Sequence, residues 1–215
     1  MCFSAEVSLL TFTIGVVFSI LIFQFKEPSY KIFAGYLFYI SLMQLIEFLL
    51  WTHQECDDYN RRTSIAGMFL SHLQPIVLAI LMVSFYKQTN NMKLYILVIS
   101  ILYLIFIIPY SMKFLKDENI QCTLKKDNPH LIWNWTNNHH AKLVYMFYFI
   151  SVTTLLLFGI PDRKLAYIFT FLHSLTLLTS YLFYSRPYLG SIWCFYGSLA
   201  PPFVFLYKIL TDYMK

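Results

Sequence analysis

Gln44-Leu45-Ile46-Glu47-Phe48-Leu49-Leu50-Trp51 is the stretch from which the chain is best read. It belongs to the run Ile32–His53, which is otherwise apolar and long enough to cross the roughly 30 Å hydrocarbon core of a bilayer. Glu47 is the one charged residue inside any such run in the sequence. A carboxylate at that depth costs about 3 kcal/mol on insertion scales unless it is neutralised or paired. Gln44, Glu47 and Trp51 follow the spacing i, i+3, i+7 and so share one helix face. That face must point into protein or water, because lipid offers a polar group no partner.

The rest of the chain agrees with a membrane setting. Of 215 residues, 58% are hydrophobic and only 13% charged, and this balance belongs to membrane proteins. The length suits one helical domain spanning 1–215, with no second soluble unit. The net charge of +5 does not point to nucleic acid, because Lys and Arg sit in short clusters at the ends of apolar runs. The bilayer itself is the implied partner. The N-terminal run lacks a basic leader and a small-residue cleavage site, so it reads as a retained first span rather than a signal peptide.

Seven runs separate at charged residues: Val7–Phe25, Ile32–His53, Thr63–Tyr86, Leu94–Met112, Leu143–Pro161, Leu165–Ser185 and Pro187–Tyr207. They are too long for barrel strands and show no alternation, so the expected fold is an all-α bundle of seven transmembrane helices. With the N-terminus outside, eight Lys/Arg fall on the cytoplasmic side, including Lys215, against three in the short outer segments. The longer loop Lys113–Lys142 holds the other five and, if counted, levels the tally. That loop carries the glycosylation sequon Asn134-Trp135-Thr136, which has meaning only outside the cytoplasm. Cys56 and Cys122 fall in two different outer loops, where an oxidising compartment permits a disulfide.

Two similar openings, Pro28-Ser29-Tyr30-Lys31 and Pro161-Asp162-Arg163-Lys164, pose a 3+1+3 repeat. Two similar endings, Phe85-Tyr86-Lys87 and Leu206-Tyr207-Lys208, point the same way. The repeat would relate helices one to three with five to seven. The alternative is that aromatic-Lys endings recur in any aromatic-rich membrane protein.

In this topology Cys2, Gln44, Glu47, Trp51, His72, Gln74, Trp193 and Cys194 reach a common depth in the outer half. His72 and Gln74 lie about 200° apart on a helix, so only one of them can face Glu47. Two readings stay open. One is an outward-facing polar pocket or metal site, with Cys2, Glu47, His72 and Cys194 as candidate ligands of acceptable type for zinc. The other is a structural knot of hydrogen bonds. A stripe of Thr170, His173, Thr176 and Ser180 runs along helix six, and Ser191, Cys194, Ser198 and Pro201 along helix seven. Small hydroxylated residues of this kind serve helix packing, or line a polar path joining the Glu47 pocket.

Helix seven has no lysine at mid-depth, Lys208 standing at its inner end, so a retinal Schiff base is excluded. No receptor-type Asp-Arg-Tyr, late His-x-x-x-His pair or glycine-rich phosphate loop is present. Met1-Cys2-Phe3-Ser4-Ala5, Gln44-x-x-Glu47-x-x-x-Trp51, Gln74-Pro75 and Trp193-Cys194-Phe195 resemble a seven-helix membrane family of bacteria, fungi and large DNA viruses. Many members of that family have Trp-Pro in place of Gln74-Pro75, and Gly in place of Phe48. The resemblance implies the bundle and these residues as its site. It implies no activity and no cofactor. The Ile-, Phe-, Tyr- and Lys-rich composition suits an AT-rich genome such as that of a large DNA virus.

The leading expectation is binding or transport of a small polar solute or cation in a pocket centred on Glu47. A membrane-embedded enzyme, metal-dependent or using Glu47 as general base, is the rival. A structural or assembly protein is the third.

Overall fold

The computed structural model describes residues 4–125, 130–136, 140–183 and 189–214. Helices make up nearly all of it: α1 (Ala5–Phe23), α2 (Pro28–Thr52), α3 (Asp58–His72), α4 (Gln74–Phe85), α5 (Asn90–Lys116), α6 (Ala141–Gly159), α7 (Arg163–Phe183), α8 (Leu189–Ser198) and α9 (Ala200–Tyr213). Their starts follow local chemistry. Ser4, Asp57 and Thr89 cap α1, α3 and α5 by accepting from a backbone N–H three residues on. Pro28 opens α2, where its missing N–H costs nothing.

Six helical segments are long and apolar enough to cross a membrane: α1, α2, α5, α6, α7 and the run Gly190–Tyr213. The pair α3 and α4, bent by 50°, makes a seventh if counted as one span. The chain is therefore an all-helical, multi-pass membrane protein. The run Thr63–Tyr86, expected as one helix, is broken at Leu73. Pro75 explains the break, because it has no N–H to give the carbonyl of Ser71 and its ring crowds that oxygen. The last run breaks the same way at Leu199, ahead of Pro201. Leu73 (φ −87°, ψ −5°) and Leu199 (φ −90°, ψ −4°) have nearly the same backbone conformation.

α2 is the central helix. Its most apolar window is 56% buried, against 17–33% for the other spanning segments. It runs along α1 and also touches α3, α4, α8 and α9. At one end of the bundle Lys208 of α9 is buried between Glu27 (2.6 Å) and Asp212 (2.7 Å), over the rings of Phe25 and Tyr30. This contact pins α9 to the α1–α2 turn.

At the opposite end, part of the long Lys113–Lys142 loop packs as a buried plug. Trp133 and Trp135 are fully buried, stack at 4.9 Å, and join Met43, Leu50, Met68 and Phe114 in one apolar cluster. Asn60 of α3 straps the plug down. Its amide donates to the carbonyls of His53 (2.9 Å) and Thr123 (3.0 Å), and its oxygen accepts from the Thr123 N–H (2.9 Å). A disulfide joins Cys56 to Cys122 across the same junction, with Cα atoms 5.5 Å apart. The sequon residue Asn134 is engaged as well, donating through Nδ2 to the Cys122 carbonyl (2.8 Å).

Candidate functional site

Glu47 and Gln44 are both fully buried on α2. The Ser191 hydroxyl of α8 donates to Glu47 Oε1 at 2.7 Å, and the Thr11 hydroxyl of α1 donates to Gln44 Oε1 at 3.0 Å. The polar face of α2 thus joins α2 to α8 and to α1. Trp51, on the same face, is half-buried in the apolar cluster of the plug.

His72 turns elsewhere. Its Nδ1 pairs with Ser111 of α5 (2.8 Å) and its Nε2 with Tyr145 of α6 (3.0 Å), so both ring nitrogens are used. Among the described residues Glu47, His72 and Cys194 do not converge as a metal-binding group, and Cys2 lies outside the described residues. The described residues that do bring ligand-type atoms together are His53, Glu55 and Asp57, within 4.8 Å of one another in the exposed α2–α3 turn. There His53 already pairs with Asp57 at 2.7 Å. The Asn60 N–H and then His53 hold the Asp57 carboxyl below its usual range.

Four expected site residues meet around a small cavity of about 80 Å³: Gln74, His173, Trp193 and Cys194. The cavity lies where α2, α4, α6, α7 and α8 face one another, and its aromatic wall includes Tyr36, Tyr148 and Phe169. Gln44, Glu47, Trp51 and His72 do not line it. The Tyr148 hydroxyl donates to Gln74 Oε1. Gln74 Nε2 has no oxygen or nitrogen partner among the described residues, although Gln74 is 97% buried, and only the weakly accepting Cys194 sulfur stands near it. His173 Nε2 is likewise buried and unpartnered. The His173 ring is held in place by stacking on Phe149 (5.3 Å) and by Trp193 (4.8 Å). Trp193 donates through Nε1 to the Thr176 hydroxyl (3.2 Å), which itself donates to the His173 carbonyl (3.0 Å).

The cavity adjoins both helix breaks. Gln74 opens α4 directly after Leu73, and Gly197 and Ala200 flank Leu199. Pro201 has no N–H for the Gly197 carbonyl, so that helical bond cannot form beside the cavity. A cavity needs about 10–15 Å³ to hold one water, so this one has room for several waters or a small solute. Tyr148, Trp193 and Cys194 also line a second cavity, of about 1080 Å³, between α6, α7 and α8.

Sequence spacing did not reveal Tyr36 and Tyr148, since a buried tyrosine in an aromatic-rich chain carries no pattern. The signal for the plug was present: two tryptophans two residues apart in an otherwise polar loop. These features define a class, a multi-pass helical membrane protein with a small, largely aromatic-lined cavity beside two proline-broken helices. Comparison of the chain with protein-family models, with curated proteins and with solved structures gives no match.

Proposed function

We propose that the chain binds and passes a small, neutral, polar solute through the cavity between the two broken spans. The observation that carries this is the pair of buried nitrogens, Gln74 Nε2 and His173 Nε2, that line one cavity and have no oxygen or nitrogen partner among the described residues. A buried polar group without a partner costs about 1–3 kcal/mol, and a solute that bonds both nitrogens recovers it. Gln74 Nε2 offers a donor, and His173 Nε2 either role according to tautomer. Among the described residues no carboxylate lines the cavity, which favours a neutral solute over a cation. Glu47 acts here as the buried tie from α2 to α8, and the pocket centre moves to Gln74.

Transport is favoured over simple binding by the helix breaks. Interrupted helices at corresponding places in two halves mark solute sites in repeat-built transporters. Leu73-Gln74-Pro75 and Leu199-Ala200-Pro201 stand at such places if helices one to three repeat as five to seven. On that reading the bent pair α3–α4 and the run α8–α9 are each one span. The bundle then has seven spans, with the N-terminus outside and the C-terminus cytoplasmic.

Stopped-flow swelling of proteoliposomes in urea and in glycerol tests the proposal. Wild-type protein should admit one or both faster than empty liposomes, and Gln74→Leu with His173→Phe should return the rate to that background. Equal rates for wild type and the double variant, with both folded, would overturn it.

A further inference from the structure

The larger cavity has a different chemistry from the small one. It runs down α6 from Lys142 past Met146 to Phe149, about 10 Å at 1.5 Å per residue. Across from these residues α7 contributes Leu177, Leu178 and Tyr181. Met146, Leu178 and Tyr181 are 48%, 52% and 58% exposed, so the groove walls continue onto the outer, apolar surface of α6 and α7. In a multi-pass protein that surface meets the bilayer. Among the described lining residues the lysine, Lys142, stands at the mouth with Thr136 and His140, and deeper in the mostly apolar walls carry uncharged hydroxyls such as those of Ser71 and Ser174. Lys142 is exposed and has no ion-pair partner among the described residues. The volume, about 1080 Å³, is at the top of the roughly 300–1,000 Å³ range of small-molecule pockets.

An apolar slot about 10 Å long, open to the membrane and ending at a cation, has the polarity profile of a lipid. A soluble anion would use Lys142 and leave the apolar walls wet. A neutral hydrocarbon would fill the walls and leave Lys142 without a counter-charge. We propose that the groove binds one acyl chain of a monoanionic phospholipid whose phosphate pairs with Lys142. The site is separate from the solute cavity, although Trp193 and Cys194 form a wall common to both.

Native mass spectrometry of the purified full chain, titrated with phosphatidylglycerol and with phosphatidylcholine of identical acyl chains, tests this. Phosphatidylglycerol should bind about fivefold tighter, the effect of one basic residue near a membrane surface. Lys142→Glu should abolish that preference while leaving phosphatidylcholine binding as it was. Leu178→Trp, which fills the groove from α7, should weaken both lipids, and Met146→Phe repeats the block from α6. Both blocking positions are about half exposed, so the fold tolerates the change. The proposal is overturned by equal binding of the two lipids to wild type, or by a preference that survives Lys142→Glu. Undiminished binding to both blocked variants overturns it equally.

Discussion

His72 and His173 are both histidines in spanning helices, and their surroundings differ in one respect. His72 has a hydroxyl on each ring nitrogen, whereas His173 is stacked firmly between aromatic rings with Nε2 left unpartnered beside a cavity. The same contrast separates the two ends of the polar system. The plug is tied by the short bonds of Asn60 and a disulfide, although the Trp133 and Trp135 indole nitrogens stay unbonded inside its packed rings, while the Gln74 cavity sets its unbonded nitrogens beside open space. Burial alone does not identify a binding site in a membrane protein. The useful quantity is what remains unbonded beside open space after the helices have packed.

The largest effect should come from the plug. Trp135→Ala removes the ring that fills the plug and should cost about 3–5 kcal/mol, read as a lowered thermal midpoint in detergent. A loss below about 1 kcal/mol would mean the plug does not hold α2 and α3 together. Replacing Cys56 and Cys122 by Ser should cost about 2–4 kcal/mol in the same measurement, through the freed unfolded chain. If the plug is only a lid, the double variant will melt with the wild type.

The histidine pair tests the contrast directly. His72→Leu removes one buried bond each from the Ser111 and Tyr145 hydroxyls and should cost about 1–3 kcal/mol. His173→Leu strands no described partner, so its melting point should stay within about 1 kcal/mol while solute uptake falls. Equal destabilisation by the two would erase the distinction. Glu47 belongs with His72: Glu47→Gln keeps an acceptor for Ser191 and should lose no more than about 1 kcal/mol. Uptake abolished by Glu47→Gln at normal stability would return the site to Glu47.

The smallest effect is a pH dependence at the far end of the bundle. The Lys208 hydrogen bond holds the Glu27 carboxyl below its ordinary value of 4.5. A carboxyl whose folded pKa is depressed contributes stability above 4.5, and that contribution is lost as pH falls through the folded value. Melting curves between pH 7 and 3 should show this loss below about pH 4.5, reduced in Glu27→Gln. The effect is small because Glu27 is half-exposed and screened. An unchanged slope in the variant would assign the acid loss to other groups.

Much of the fold was legible in the sequence. The apolar runs and the buried face of α2 follow from contiguous residues; the breaks ahead of Pro75 and Pro201 fell inside runs expected to be single helices, although their cause is just as local. Run length against bilayer thickness, and the missing N–H of proline, are local physics. Gln74, His173, Trp193 and Cys194 could be named as site candidates for the same reason, since a polar side chain in an apolar run needs a partner.

The tertiary structure alone decided which partner each one has. The bonds of His72 reach 39 and 73 residues along the chain, and the bond from Ser191 to Glu47 reaches 144. Those pairings depend on how each helix is rotated and how deep it sits against its neighbours, and spacing within one helix fixes neither. Depth placed Glu47, His72 and Gln74 together in the sequence, and rotation separated them. The cavity is the space left when those rotations are fixed, so no run of residues could have announced it.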